Sequence, residues 1–169
     1  MILKTALLGV TIAGALLAQA PSISKEAMQA YTGIKTNLTK LADKVDADTY
    51  NYKPVDTIRT IGGLIGHIAD SQLGTCSTVN GERKPGTASK MTAKAELVSA
   101  LKASFDECDK AFAALTDANL SDPIKTPRGE RSRLSTLMGI IVHGNEEYGY
   151  TSVYLRMKGI VPPSSEPRP

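Results

Sequence analysis

Residues 143–156 read His-Gly-Asn-Glu-Glu-Tyr-Gly-Tyr-Thr-Ser-Val-Tyr-Leu-Arg, and Met-Lys-Gly-Ile-Val-Pro-Pro-Ser-Ser follows as residues 157–165. The chain has two histidines, and His143 in this run is one of them; the other is His67. Glu147 lies four residues after His143. On a helix that spacing puts both side chains on one face, close enough to grip a single ion. Leu134, Leu137, Ile141, Tyr148 and Leu155 line one side of the same segment. Gly159 and the pair Pro162-Pro163 then stop it. A helix is therefore expected from Ser132 or Ser135 to Gly159.

Three more amphipathic segments precede it. Tyr31, Ile34, Leu38, Leu41 and Val45 recur at three and four residues, which predicts a helix from Lys25 to Val45. A second helix starts between Thr57 and Thr60, after the Pro54 turn, and runs to about Cys76, with Ile61, Leu64, Ile65, Ile68 and Leu73 as its stripe. Gly62, Gly63 and Gly66 weaken it by propensity, but they also permit close packing or the approach of a ligand. A third begins at Thr92, a plausible cap, and carries Leu97, Leu101, Phe105, Cys108, Phe112 and Leu115. No segment alternates convincingly enough to be a strand. The intervening stretches hold Pro, Gly, Asn and Asp, as loops do. The tail Pro162 to Pro169 is expected to fray or to lie across the surface.

Four long amphipathic helices make an all-α four-helix bundle. The connection Ser77 to Met91 is about fifteen residues and reaches roughly 50 Å when extended. A helix of about eighteen residues spans only ~27 Å. The connection is thus long enough to run back along the bundle and leave helices two and three parallel.

The first twenty residues stand apart. Lys4 gives a short positive start, Ala6 to Leu17 is apolar except for Thr11, and Ala18-Gln19-Ala20 has the small-x-small form of a cleavage site. This reads as a signal peptide (1–20) before a single domain (21–169), and implies an exported, periplasmic or extracellular protein with no membrane insertion after processing. Pro21 just after the cut is a poor peptidase context. Without Lys4 the 20 basic residues become 19 against 17 acidic ones, so net charge falls from +3 to +2. There is no basic stripe with interleaved aromatics and no Trp, so nucleic-acid binding is not expected.

Cys76 and Cys108 are the two cysteines, and export favours a disulfide between them. Cys76 lies about seventeen residues into helix two and Cys108 about sixteen into helix three. Parallel helices would bring the two level. A simple antiparallel hairpin would separate them by roughly 24 Å along the axis.

The run around Tyr154-Leu-Arg156 and Pro162-Pro163 resembles the C-terminal signature of the DinB-like superfamily, in which His-x-x-x-His-Tyr-Gly precedes Tyr-Leu-Arg and Gly-Ile-Val-Pro-Pro-Ser. Tyr52-Lys-Pro54 with the segment from Arg59 to His67-Ile-Ala is similar to the family's entry into its second helix and its first metal histidine. Thr92 to Leu115 is similar to the third helix. The resemblance implies an up-down-down-up bundle with a crossover between helices two and three. It also implies a divalent-metal site at His67, His143 and Glu147, the last standing where the family has a third histidine. Some members transfer low-molecular-weight thiols or isomerise thiol adducts.

Two imidazoles and a carboxylate suit zinc or nickel first, and iron or manganese as the carboxylate hardens the site. Such an ion would serve a metal-dependent hydrolase or thiol transferase acting on a small molecule, with homodimerisation possible. Export disfavours the thiol version, whose usual cosubstrates are cytosolic. The other reading is a non-catalytic binding or interaction module with a degenerate site. Asp70 is a candidate additional ligand or acceptor, or simply a solvated helix residue. Tyr148, Tyr150 and Tyr154 are candidates for pocket lining or core, and Arg156 for the family motif or a structural ion pair.

Overall fold

The computed structural model describes residues 21–167. The expected signal peptide lies outside these residues. Four helices, α1 (Ile23–Lys44), α2 (Ile61–Val79), α3 (Lys94–Ala113) and α4 (Arg133–Met157), enclose one apolar core. Among the described residues no helix is long and apolar enough to cross a membrane.

Each helix start follows from local chemistry, with one exception. Ser22, Thr60 and Ser132 sit in extended conformation before α1, α2 and α4, and each side-chain oxygen accepts a hydrogen bond from the amide three residues on. Before α3 the capping position is Ala93, which offers no side-chain acceptor, so Thr92 is not the cap. Helix α2 runs to Val79, one turn beyond Cys76, because its last turn is held against α3.

The direction of each helix is fixed by what it touches. Along α2 and α3 the partners rise together: a Cβ on Gly62 would meet Leu97, Gln72 accepts from Ser104, Cys76 is bonded to Cys108, and Asn80 donates to Glu107. Along α1 and α3 they run oppositely: Ser24 meets Asp117, Tyr31 meets Asp109, and Asp43 meets Lys94. Ile34 faces Gly144 and Lys44 reaches Val161, so α4 runs with α1. The order is therefore up-down-down-up. The 14 residues between α2 and α3 form the crossover, and the Cys76–Cys108 bridge (Cα–Cα 4.9 Å) joins the parallel pair.

The crossover is pinned to α2. Its short 3-10 turn, Ala88–Lys90, presents the Ala88 and Ser89 amides and the Ser89 hydroxyl to the Asp70 carboxylate at 2.7, 2.9 and 2.6 Å. Burial pushes the Asp70 carboxyl pKa up, but these hydrogen bonds and the nearby His67 outweigh it and hold the group below its ordinary range. The turn lies so close to α2 that a Cβ on Gly66 would stand 2.7 Å from the Ala88 carbonyl oxygen. Here the helix glycine serves backbone packing, and no other residue fits.

At the far end of the crossover loop, Glu107 is buried on α3 and receives Lys84 Nζ and Asn80 Nδ2, both at 2.7 Å. The Lys84 hydrogen bond, then that of Asn80, lowers its carboxyl from 4.5 to about 2. The unfolded chain therefore takes up this proton at higher pH than the native one. The contribution is complete above pH about 4.5 and is lost as pH falls toward 2. Urea midpoints measured at pH 6 and pH 3 should fall with acid, and Glu107→Gln should make that fall shallower. An unchanged slope in the variant would remove Glu107 from the account.

The core is otherwise apolar and aromatic. Tyr31 stacks on Phe112 at 4.1 Å between centroids and sends its hydroxyl to Asp109. Tyr50 is buried and donates to the Ala42 carbonyl at 2.7 Å. One element was not expected: β1 (Pro123–Thr126) and β2 (Gly129–Ser132) form an antiparallel hairpin between α3 and α4. Each strand has four residues and only Ile124 is buried, which is too short a pattern to register as alternation. The tail is laid across the surface. Ser164 N–H donates to the Tyr148 hydroxyl, Arg156 donates to Ser165 Oγ, and Lys44 pairs with Glu166 at 2.6 Å. Arg156 thus makes a hydrogen bond to the tail and no ion pair among the described residues.

Candidate metal centre

His67 sits nearly two turns into α2. His143 sits near the middle of α4 with Glu147 one turn beyond it. Helices α2 and α4 are antiparallel neighbours, and the three side chains meet between them. His143 Nε2 lies 3.1 Å from His67 Nε2, and Glu147 Oε1 lies 3.6 Å from His67 Nε2 and 3.5 Å from His143 Nε2. All three expected ligands are brought together.

The spacing has a chemical meaning. Three donors about 2.0–2.2 Å from one ion in tetrahedral array stand roughly 3.3–3.6 Å apart. The observed triangle, with sides of 3.1, 3.5 and 3.6 Å, is close to that without rearrangement. The imidazole side chains are 32% and 27% exposed while the carboxylate is 8% exposed, so the triangle is closed from below by Glu147 and open toward solvent. Glu147 Oε2 is buried and has no hydrogen-bond partner among the described residues. A buried carboxylate oxygen left unpaired is costly, and a cation satisfies it. The residues present fit a divalent ion with an open position.

Burial, and then the neighbouring His67, pushes the His143 pKa down against the opposing pull of Glu147. A depressed pKa keeps the ring neutral near neutral pH, and the neutral ring is the form that ligates.

Other candidates are sorted by their contacts. Asp70 is one turn from His67 but spends its carboxylate on the crossover, so it is not a ligand. Tyr150 is exposed and donates to Glu146 at 3.1 Å, and Tyr148 is bound to the tail. Tyr154 is buried on the Glu147 face of α4, two turns on. Burial and the Glu147 charge raise the pKa of its hydroxyl, and Arg59 opposes them. Arg59 had been given no role from sequence. It stands just before Thr60, the cap of α2, outside the helical repeat, so spacing along the helix does not single it out. Two surface hollows, of ≈ 360 and ≈ 570 Å³, lie elsewhere, one beside Tyr31, Lys35 and Asp109 and one between Thr78, Arg83 and Arg133.

Residues 30–150 match the sequence profile of the DinB superfamily. A DinB-like protein from Bacillus cereus ATCC 10987 has the same fold at TM-score 0.67 and 19% identity, over 84% of this chain and 96% of that one. A DinB-like protein from Bacillus subtilis gives 0.61 at 20% identity, over 79% and 92%. A mycothiol-dependent maleylpyruvate isomerase gives 0.59 at 16% identity, over 75% of this chain and 58% of that one. Comparison with curated proteins gave no match.

Proposed function

The chain belongs to the DinB superfamily, and on that premise we propose that it binds one divalent ion between His67, His143 and Glu147 and acts on a small molecule as a metal-dependent hydrolase or transferase. The observation that carries this reading is the triangle of donor atoms over a buried, unpartnered Glu147 oxygen. Zinc or nickel suits the two imidazoles, and the carboxylate admits iron or manganese. When bound, such an ion polarises a carbonyl and acidifies a water or thiol.

The chain's own residues do the rest. His67 and His143 present ring nitrogens from two different helices. Glu147 contributes negative charge that offsets part of the ion's. The apolar packing beneath Glu147 excludes water from one side, so substrate enters from the imidazole side. We also read the chain as exported, on the strength of its N-terminal run and its disulfide. On that reading a hydrolase is favoured over a thiol transferase.

A second reading rests on the same residues. The His143 to His67 contact at 3.1 Å is itself a hydrogen bond, by which the two rings satisfy one another. A bundle that needs no ion, and serves as a binding module, is consistent with it. Metal analysis of tag-free protein, followed by zinc titration in a calorimeter, separates the two. One ion per chain with micromolar or tighter affinity is expected. No uptake of zinc, nickel, iron or manganese would leave the binding module as the better reading.

A further inference from the structure

The open side of the donor triangle is bordered by two groups that no part of the bundle uses. The first is Arg59. Its stem lies against Gly63, where a Cβ would stand 3.4 Å from the Arg59 Cβ and 3.9 Å from its Cγ. Gly63 is one helical turn from His67 on the same face of α2. From there its flexible stem has the length to reach along α2 toward His67. Its charge is felt at His143 and at the Tyr154 hydroxyl, on the opposite helix. Among the described residues, Arg59 makes no hydrogen bond and no ion pair. The nearby acids are engaged: Asp56 pairs with Lys53 at 3.0 Å, Glu146 accepts from Tyr150, and Asp70 holds the crossover.

The second group is Tyr154. It follows Glu147 by seven residues on α4, and a helical aromatic side chain leans back toward the N-terminal turn, here toward Glu147. Its ring is buried and meets Tyr52 edge-on at 6.4 Å, and Lys158 covers the other ring at 5.1 Å from the Tyr52 centroid. The ring is fixed, yet its hydroxyl has no hydrogen-bond partner among the described residues. Because α2 and α4 are antiparallel, the start of one lies beside the end of the other. Arg59 and Tyr154 thus approach the same edge of the triangle from opposite sides.

We propose that Arg59 and Tyr154 form an anion-binding subsite beside the metal centre, so that the substrate is a small molecule with a metal-seeking group at one end and a carboxylate at the other. The guanidinium offers a forked pair of donors matched to a carboxylate, and the phenol adds one more.

The inference rests on the metal reading, and one probe series tests both apart. The probes are aliphatic hydroxamates with a terminal carboxylate, two to five methylenes long, each paired with its methyl ester. Dissociation constants are measured by calorimetry on zinc-loaded and zinc-free protein. The esters report the ion alone. The carboxylates should bind about tenfold more tightly than their esters at one chain length. Arg59→Ala should erase that gain while leaving ester binding within about twofold, Arg59→Lys should keep part of it, and Tyr154→Phe should lose a smaller share. Arg59 is exposed, so its removal leaves the bundle folded. If the esters bind zinc-loaded protein but no carboxylate gains, or the gain survives Arg59→Ala, the subsite is wrong and the metal centre stands. If the esters bind no better with zinc than without it, the metal centre falls and the subsite with it.

Discussion

Replacing Cys76 and Cys108 together by alanine should lower stability by roughly 3–4 kcal/mol and the melting temperature by about 10 °C. The bridge closes a span of 32 residues, and both cysteines are fully buried in the core. Without it, the unfolded chain regains the freedom that the closed loop denies it, and α2 loses its covalent hold on the parallel helix α3. Alanine is the better replacement, because serine would bury two hydroxyls among apolar neighbours. His67 lies nine residues from Cys76, about 13.5 Å along α2, so zinc affinity of the folded variant should change little. The check is a melt of both proteins, with thiols counted after denaturation without reductant. Two free thiols in the wild-type protein, or equal melting points, would refute the argument.

The second large effect concerns the ion. His143→Ala should weaken zinc binding by at least about 100-fold, more than the loss usually seen when only a supporting partner of a ligand is removed. It takes away one corner of the triangle and leaves a carboxylate and a single imidazole. Glu147→His acts in the opposite sense on selectivity. Imidazole is softer than carboxylate, so the ratio of zinc to manganese affinity should rise by about tenfold. The position tolerates the change in one respect, since no protein partner of Glu147 Oε2 is lost. Competition with a chromophoric chelator measures both ratios. Unaltered selectivity in Glu147→His would show that Glu147 is not a ligand.

The sequence revealed most of this fold because the informative residues are local. The three-and-four spacing of Tyr31, Ile34, Leu38 and Leu41 shows α1, and Pro162-Pro163 shows where α4 must already have ended. The parallel run of α2 and α3 was legible in two cysteines that meet only in that arrangement, and the full up-down-down-up order in the family resemblance. The candidate ligands came from two histidines and a spacing of four, read together with the family resemblance. What escaped has a physical reason in each case. The hairpin at 123–132 buries a single apolar side chain, so it leaves no pattern. Asp70, three residues after His67, reads from sequence as an additional ligand or acceptor, or as a solvated helix residue. Nothing local says that Ala88 and Ser89, on another segment, consume its carboxylate. Arg59 is an exposed arginine of a common kind in sequence, and what distinguishes it is its place beside Gly63 at the start of α2.

The two histidines are 76 residues apart in sequence and meet only when α4 packs against α2. Contacts of such long range are the last that a folding chain can collect, because the intervening loop must be closed first. The disulfide and the crossover contacts span much shorter stretches and hold α2 to α3 regardless of where α4 lies. A molecule with α4 undocked would keep nearly all its helix and its covalent bond, yet would possess no ion site at all. On the metal reading proposed above, ion occupancy would report finished assembly, where helix content and disulfide formation report only that assembly has begun.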